Sequence, residues 1–152
     1  MNLTSIQAAL LLQLLPGIGD ITAKKLVENC GSAQAVLKEK KSNLLKIKGI
    51  GIFHLKGFDR HESYFPAVNQ EEIFIKKEGI TPLIYPSTDY PTTLGFCSNA
   101  PLVLFQKGNI SWKNERIISI VGTRNPTSIG IDFCKQFVED LSAYQPIIVS
   151  GL

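Results

Sequence analysis

The chain has 152 residues, of which 44% are apolar and 19% charged, with a net charge of +3. The apolar share excludes a disordered chain and predicts packed cores, and the length fits one domain or two small ones. The net charge does not by itself demand a polyanionic partner, and three scattered cysteines (Cys30, Cys97, Cys134) without a CxxC pair argue against a zinc site.

The charge is uneven. Residues 1–58 hold eight Lys against Asp20, Glu28 and Glu39, a net of +5. Residues 59–80 carry −2, and residues 81–152 balance at five of each sign. A polyanion would therefore concentrate on the N-terminal third, although a solvated lysine face has the same composition.

In chain order, Thr4 or Ser5 caps a helix running to Leu15. It is apolar nearly all round, which predicts the buried helix of its domain. The apolar run Ile6–Leu15 is too short to span a membrane and has no basic segment before it. With isolated cysteines, this predicts a cytoplasmic location without membrane contact.

Pro16-Gly17-Ile18-Gly19 predicts a tight turn, with Asp20 as N-cap of a second helix ending near Asn29 and Gly31 as its stop. Ser32 caps a third helix, Ala33 to Lys38, and Ser42 opens a fourth. Lys48-Gly49-Ile50-Gly51 repeats the glycine turn, and a short helix is expected from Ile52 to Gly57. Residues 65–78 predict a longer, more acidic helix.

From Ile80 the texture changes. Pro82, Pro86, Pro91 and Pro101 punctuate strand-like runs at Leu83–Tyr85 and Leu102–Phe105. Ile117–Val121 is a β-branched run ending at Gly122, and Pro146–Val149 is another. Between them Ile129, Phe133, Phe137 and Leu141 recur every fourth residue, a helical stripe expected to face a sheet. Strand, helix, strand predicts a βαβ unit with parallel strands and a right-handed crossover. Two parallel strands are too few to bury both faces of a sheet, so a fragment, or a sheet completed by a partner, is expected.

Two constellations suggest chemistry. In Leu15-Pro16-Gly17-Ile18-Gly19, with Ala23 and Leu26 following, and in its weaker copy at Gly49 and Gly51, glycines let the backbone approach a phosphate. The helix N-terminus adds N–H groups and partial positive charge, and Lys24 and Lys25 follow within a turn or so. Asp20 counts against this, because its carboxylate competes with phosphate for the same N–H groups. This motif resembles the helix-hairpin-helix. It also resembles that of the hairpin DNA glycosylases, but Ile21 stands where the bifunctional members carry a lysine, and the chain has no Cys cluster.

The second is the loop Val121-Gly122-Thr123-Arg124-Asn125-Pro126-Thr127-Ser128-Ile129-Gly130 between strand and helix. Ligands of open α/β sheets bind at the carboxyl ends of strands. Gly122 allows close approach, Thr123, Thr127 and Ser128 offer hydroxyls, and Arg124 supplies a permanently charged fork suited to phosphate. The spacing of Gly122 and Gly130 fails G-x-G-x-x-G, and no P-loop is present. A structural loop whose arginine pairs with an acid has the same composition.

His54 and His61 have no ligand-spaced Cys or acid beside them and read as ordinary side chains. No metal site, cofactor or catalytic residue is expected. Trp112, with Asn109, Ser111 and Lys113, reads as packing on a sheet edge, with base stacking as the alternative. Phe65, Phe74, Phe133 and Phe137 are expected in the core.

Tyr90-Pro91, Leu94, Ala100 to Gly108, Ile120 to Arg124, Gly130 and Val149-Ser150-Gly151-Leu152 together resemble the DNA processing protein A (Smf) family in order and spacing. The resemblance implies an α/β protein: an N-terminal all-helical (SAM-like, helix-hairpin-helix) domain at 1–62, a connecting helix at 63–80, and at 81–152 the first part of a truncated Rossmann-like parallel-sheet domain. It implies a non-enzymatic protein that binds single-stranded DNA and loads the RecA recombinase in DNA uptake, natural transformation and recombination. By similarity Gly122, Thr123, Arg124, Thr127, Ser128 and Gly130 form part of a basic pocket that Ser150 and Gly151 continue. Gly17, Gly19, Lys24, Lys25, Gly49 and Gly51 are the secondary candidates. Homodimerisation is implied for the full-length protein, through parts absent here. The competing readings are a Rossmann-type hydrolase of nucleotide phosphates and a helical protein-interaction module.

Overall fold

The computed structural model describes residues 3–112 and 116–151; Lys113 and Leu152 lie outside them. The described chain mixes helix and strand and divides into two compact units, Met1–Ile110 and Ser111–Leu152.

The first unit starts with α1 (Ser5–Leu14), held by a capping box in which the Thr4 side chain accepts from the Gln7 backbone and the Gln7 side chain accepts from Thr4 N–H. As its composition predicts, α1 is the buried helix, with Ala8 to Leu12 in the core. Helix α2 (Asp20–Cys30) stops at Gly31, which sits at φ +90, a left-handed conformation natural to glycine. Asp20 is not its N-cap. Gly19 takes that extended position without a side-chain cap, and Asp20 is the first helical residue, where its charge favours the helix dipole.

Ser32 caps α3 (Ala33–Lys38) as expected. Helix α4 (Lys41–Leu44) begins after Lys40 rather than at Ser42, so Ser42 lies inside it. Residues 52–57 form successive turns with i→i+3 bonds, such as Leu55 N–H to the Ile52 carbonyl, in place of the expected helix. A 3₁₀ helix, Phe58–Tyr64, and then α5 (Phe65–Lys77) follow. Val68 and Ile75 of α5 are buried in the same core as α1, α2 and α3.

The unit closes with β1 (Thr81–Ile84), a short α6 (Thr92–Gly95) and β2 (Val103–Gln106). The two strands pair antiparallel, Thr81 opposite Gln106 and Ile84 opposite Val103. The parallel sheet expected over 81–152 is therefore not the arrangement of its first two strands. Leu102 and Val103 join the helical core, with Ile84 and Tyr85 packed against it.

The second unit is the expected βαβ: β3 (Ile117–Ile120), α7 (Ser128–Leu141), a 3₁₀ turn and β4 (Ile147–Ser150), with β3 and β4 parallel. The helical stripe is confirmed in spacing but not in burial. Ile129 and Phe133 are exposed, and Phe137 stacks on Phe133 with ring centroids 5.9 Å apart. Phe74 is exposed as well, and only Phe65 of the four expected core phenylalanines packs on the core. Trp112 is half-buried and has interaction partners. No helix among the described residues is long and apolar enough to cross a membrane.

Candidate nucleic-acid interface

Parallel pairing decides where the second unit can hold a ligand. Ile120 lies opposite Ser150, so β3 and β4 end side by side, and the chain leaves both at the same edge. From β3 it enters the loop 121–127, and from β4 it enters Gly151. The N-terminus of α7 follows that loop directly.

Within the loop, local bonds fix the backbone. The Thr123 hydroxyl oxygen accepts from Asn125 N–H at 2.9 Å, and the Thr127 hydroxyl oxygen caps α7 by accepting from Gly130 N–H at 3.2 Å. Each hydroxyl keeps its own proton to donate. The Thr127 carbonyl takes Ile131 N–H, while Ser128 and Ile129 N–H have no partner among the described residues. A Cβ on Gly122 would meet nothing within 4 Å, so open space surrounds that backbone.

Arg124 is exposed and makes no hydrogen bond or ion pair among the described residues. No acid among the described residues pairs with this arginine. Gly122, Thr123, Arg124, Thr127, Ser128 and Gly130 thus form one exposed loop and helix start, at the strand end shared with Ser150 and Gly151. The Ser150 hydroxyl lies 3.5 Å from the Gly151 carbonyl, a weak contact that leaves it available.

The two glycine turns of the first unit differ. Gly17 sits at φ +91, and a Cβ there would run into the Phe53 carbonyl oxygen. A Cβ on Gly57 would come 2.6 Å from Pro16 Cδ. These glycines therefore let the segments around the two turns pack together. At Gly49, φ +83, the Lys25 ammonium occupies the space that a Cβ would fill. Gly51 N–H donates to His54 Nδ1 at 2.9 Å, so that amide already has a partner. Gly19 alone of the four hairpin glycines faces open space.

Lys24, a secondary candidate for phosphate contact, is buried. Its ammonium donates to the Gly95 and Cys97 carbonyls at 2.5 and 2.6 Å and lies 5.0 Å from the Tyr85 ring centre. This pins α2 to α6. Tyr85 also donates to Glu28 at 2.9 Å and stands edge-on to Tyr90, whose hydroxyl donates to the Pro101 carbonyl at 2.7 Å. Burial, with smaller contributions from Asp20, Tyr85 and Cys97, pushes the Tyr90 phenol up to about 12. No local pattern discloses this cluster, because its members run from Lys24 to Pro101.

His54 is taken up with Gly51, and His61 Nδ1 contacts the Phe58 carbonyl at 2.9 Å. No group of His, Cys, Asp and Glu able to hold a metal occurs among the described residues.

Residues 81–152 match the family described as DNA recombination-mediator protein A. DNA processing protein DprA of Bacillus subtilis (strain 168) is 33% identical over 92 residues, 60% of this chain and 31% of that relative. The matched segment therefore spans about a third of the length of the relative.

Proposed function

We propose, from the premise that residues 81–152 place this chain in the DNA recombination-mediator protein A family, that it serves DNA processing and recombination by binding single-stranded DNA at the end of the β3–β4 sheet. The observation that carries this reading is Arg124. It is exposed, has no acceptor among the described residues, and stands in the loop that leads to two N–H groups without a partner among those residues. A cation whose charge is not used inside the fold is available to a phosphate.

In this reading the strand backbone runs across Gly122, Thr123 and Arg124. One phosphate oxygen takes the N–H groups of Ser128 and Ile129, and the Thr123, Thr127 and Ser150 hydroxyls donate to others. Gly130 donates its N–H to the Thr127 cap, and Gly151 lets the neighbouring loop approach. The βαβ unit is then the first part of a Rossmann-like sheet. Such contacts position a backbone without reading sequence. The site binds and does not catalyse.

The N-terminal residues form a SAM-like helical domain whose hairpins are a secondary contact. Gly19 has open space where a Cβ would stand, whereas Lys24 is held in the core. Loading of the RecA recombinase, homodimerisation and a cytoplasmic location belong to the same proposal for the full-length protein.

Fluorescence anisotropy with a labelled oligothymidylate tests it. Arg124→Ala in the full-length protein is expected to weaken binding about tenfold, the value of one charge-assisted hydrogen bond. Unchanged affinity removes Arg124 from the site, and release of free base from a nucleoside monophosphate would favour a hydrolase instead.

A further inference from the structure

The lysine-rich N-terminal third carries a surface that its glycine turns do not explain. Phe53 is 82% exposed and Ile52 is 65% exposed in the turns after Gly51, and Ile21 is 60% exposed in the first turn of α2. The carbonyl of Phe53 abuts Gly17, so this turn lies against the first hairpin. A phenylalanine held in water by a fixed turn is a cost unless something covers it.

Lysines flank this turn in the sequence, and Asp20, beside Ile21, is an exposed acid that makes no ion pair among the described residues. Lys46, Lys48 and Lys56 are exposed, and none has a carboxylate within ion-pair distance among the described residues. Lys46 reaches only the Asn43 side-chain oxygen, at 3.1 Å. Lys25 adds its ammonium beside Gly49. The acids of this third are Asp20, Glu28, whose carboxylate takes the Tyr85 hydroxyl, and Glu39, which is engaged with Asn43. The nearby Asp59 is paired with Lys41. A protein partner with an apolar face would not call for this excess of cations, whereas a polyanion with flat apolar rings would.

We propose that the turn Lys48–Lys56 is a second seat for single-stranded DNA, with Phe53 stacking on an unpaired base and Lys46, Lys48 and Lys56 meeting the flanking phosphates. The seat works through side chains rather than hairpin amides, since Gly51 N–H is already satisfied by His54. It excludes a duplex, whose base faces are covered. The proposal rests on the reading that this protein takes a single DNA strand, and it deepens that reading.

The test uses the full-length protein, a fluorescein-labelled oligothymidylate, and an abasic strand of the same length that keeps its phosphates. Phe53→Ala is expected to weaken binding of the oligothymidylate about tenfold, the usual effect of losing one stacked base. It is expected to leave the abasic strand unaffected, and Phe53→Tyr to retain affinity. Equal weakening on both strands, no weakening on either, or a preference for duplex lost with Phe53 overturns the proposal. Arg124→Ala on the same probe keeps the two readings apart. An effect of Phe53 alone leaves this seat standing and sinks the β3–α7 loop, and an effect of Arg124 alone does the reverse.

Discussion

Lys24 and Arg124 each stand beside a glycine-containing segment associated with a helix, one in each unit, and the two units use them in opposite ways. Lys24 is buried, with two backbone carbonyls as acceptors and an aromatic ring beside it. Arg124 has no acceptor among the described residues. The glycines differ in the same sense. Gly17 is pressed against the Phe53 backbone, and Gly122 faces open space. A glycine and a cation in sequence therefore indicate close approach of something, but not whether it is a ligand or another part of the chain. What separates the two is whether the fold supplies the acceptor itself.

Substitutions at these positions test that contrast. The largest effect is expected at Gly17. Alanine there must hold φ +91 and meet the Phe53 carbonyl, so Gly17→Ala should cost about 3 kcal/mol in urea unfolding. Lys24→Met keeps the buried stem and removes the ammonium from two carbonyls. A loss of about 2 kcal/mol is expected, and a neutral result would mean that this lysine is not part of the core's support.

Tyr90→Phe should cost about 1 kcal/mol at neutral pH through the lost bond to Pro101. It should also change the alkaline limb. Burial raises the folded-state phenol to about 12, above its unfolded value near 10, so its stabilisation is complete below pH 10 and is lost as pH rises to about 12. The phenylalanine variant should lack that slope in equilibrium unfolding across this window. The smallest effect is expected at the open glycine. Gly122→Ala should change stability by less than about 0.5 kcal/mol, and a large loss would show that the loop is packed rather than available.

These cases show which features a sequence can disclose. The Thr4 and Ser32 caps and the Gly31 stop involve atoms three or four residues apart, and each was legible. So was the βαβ order, because β-branched runs and a four-residue stripe are local patterns. Asp20 is ambiguous by one position, since an acid suits both the cap and the first helical residue. The antiparallel β1–β2 pair joins segments about 20 residues apart across prolines that hide α6. The partners of Lys24 lie 71 and 73 residues away, beyond any local pattern. The stripe on α7 disclosed which face is apolar, but Ile129 and Phe133 remain exposed, because periodicity does not say what covers a face. At the candidate site the residue types were legible. The shared edge of Ile120 and Ser150 and the lack of a partner for Arg124 among the described residues require coordinates.

Whether Arg124 meets a DNA phosphate is read from the salt dependence of binding. Anisotropy titrations of the full-length protein with oligothymidylate across a range of salt give the slope of log affinity against log salt. For one lost phosphate contact on a single strand, Arg124→Ala should make that slope shallower by about 0.7. An unchanged slope, whatever the change in affinity, would contradict a phosphate contact at Arg124.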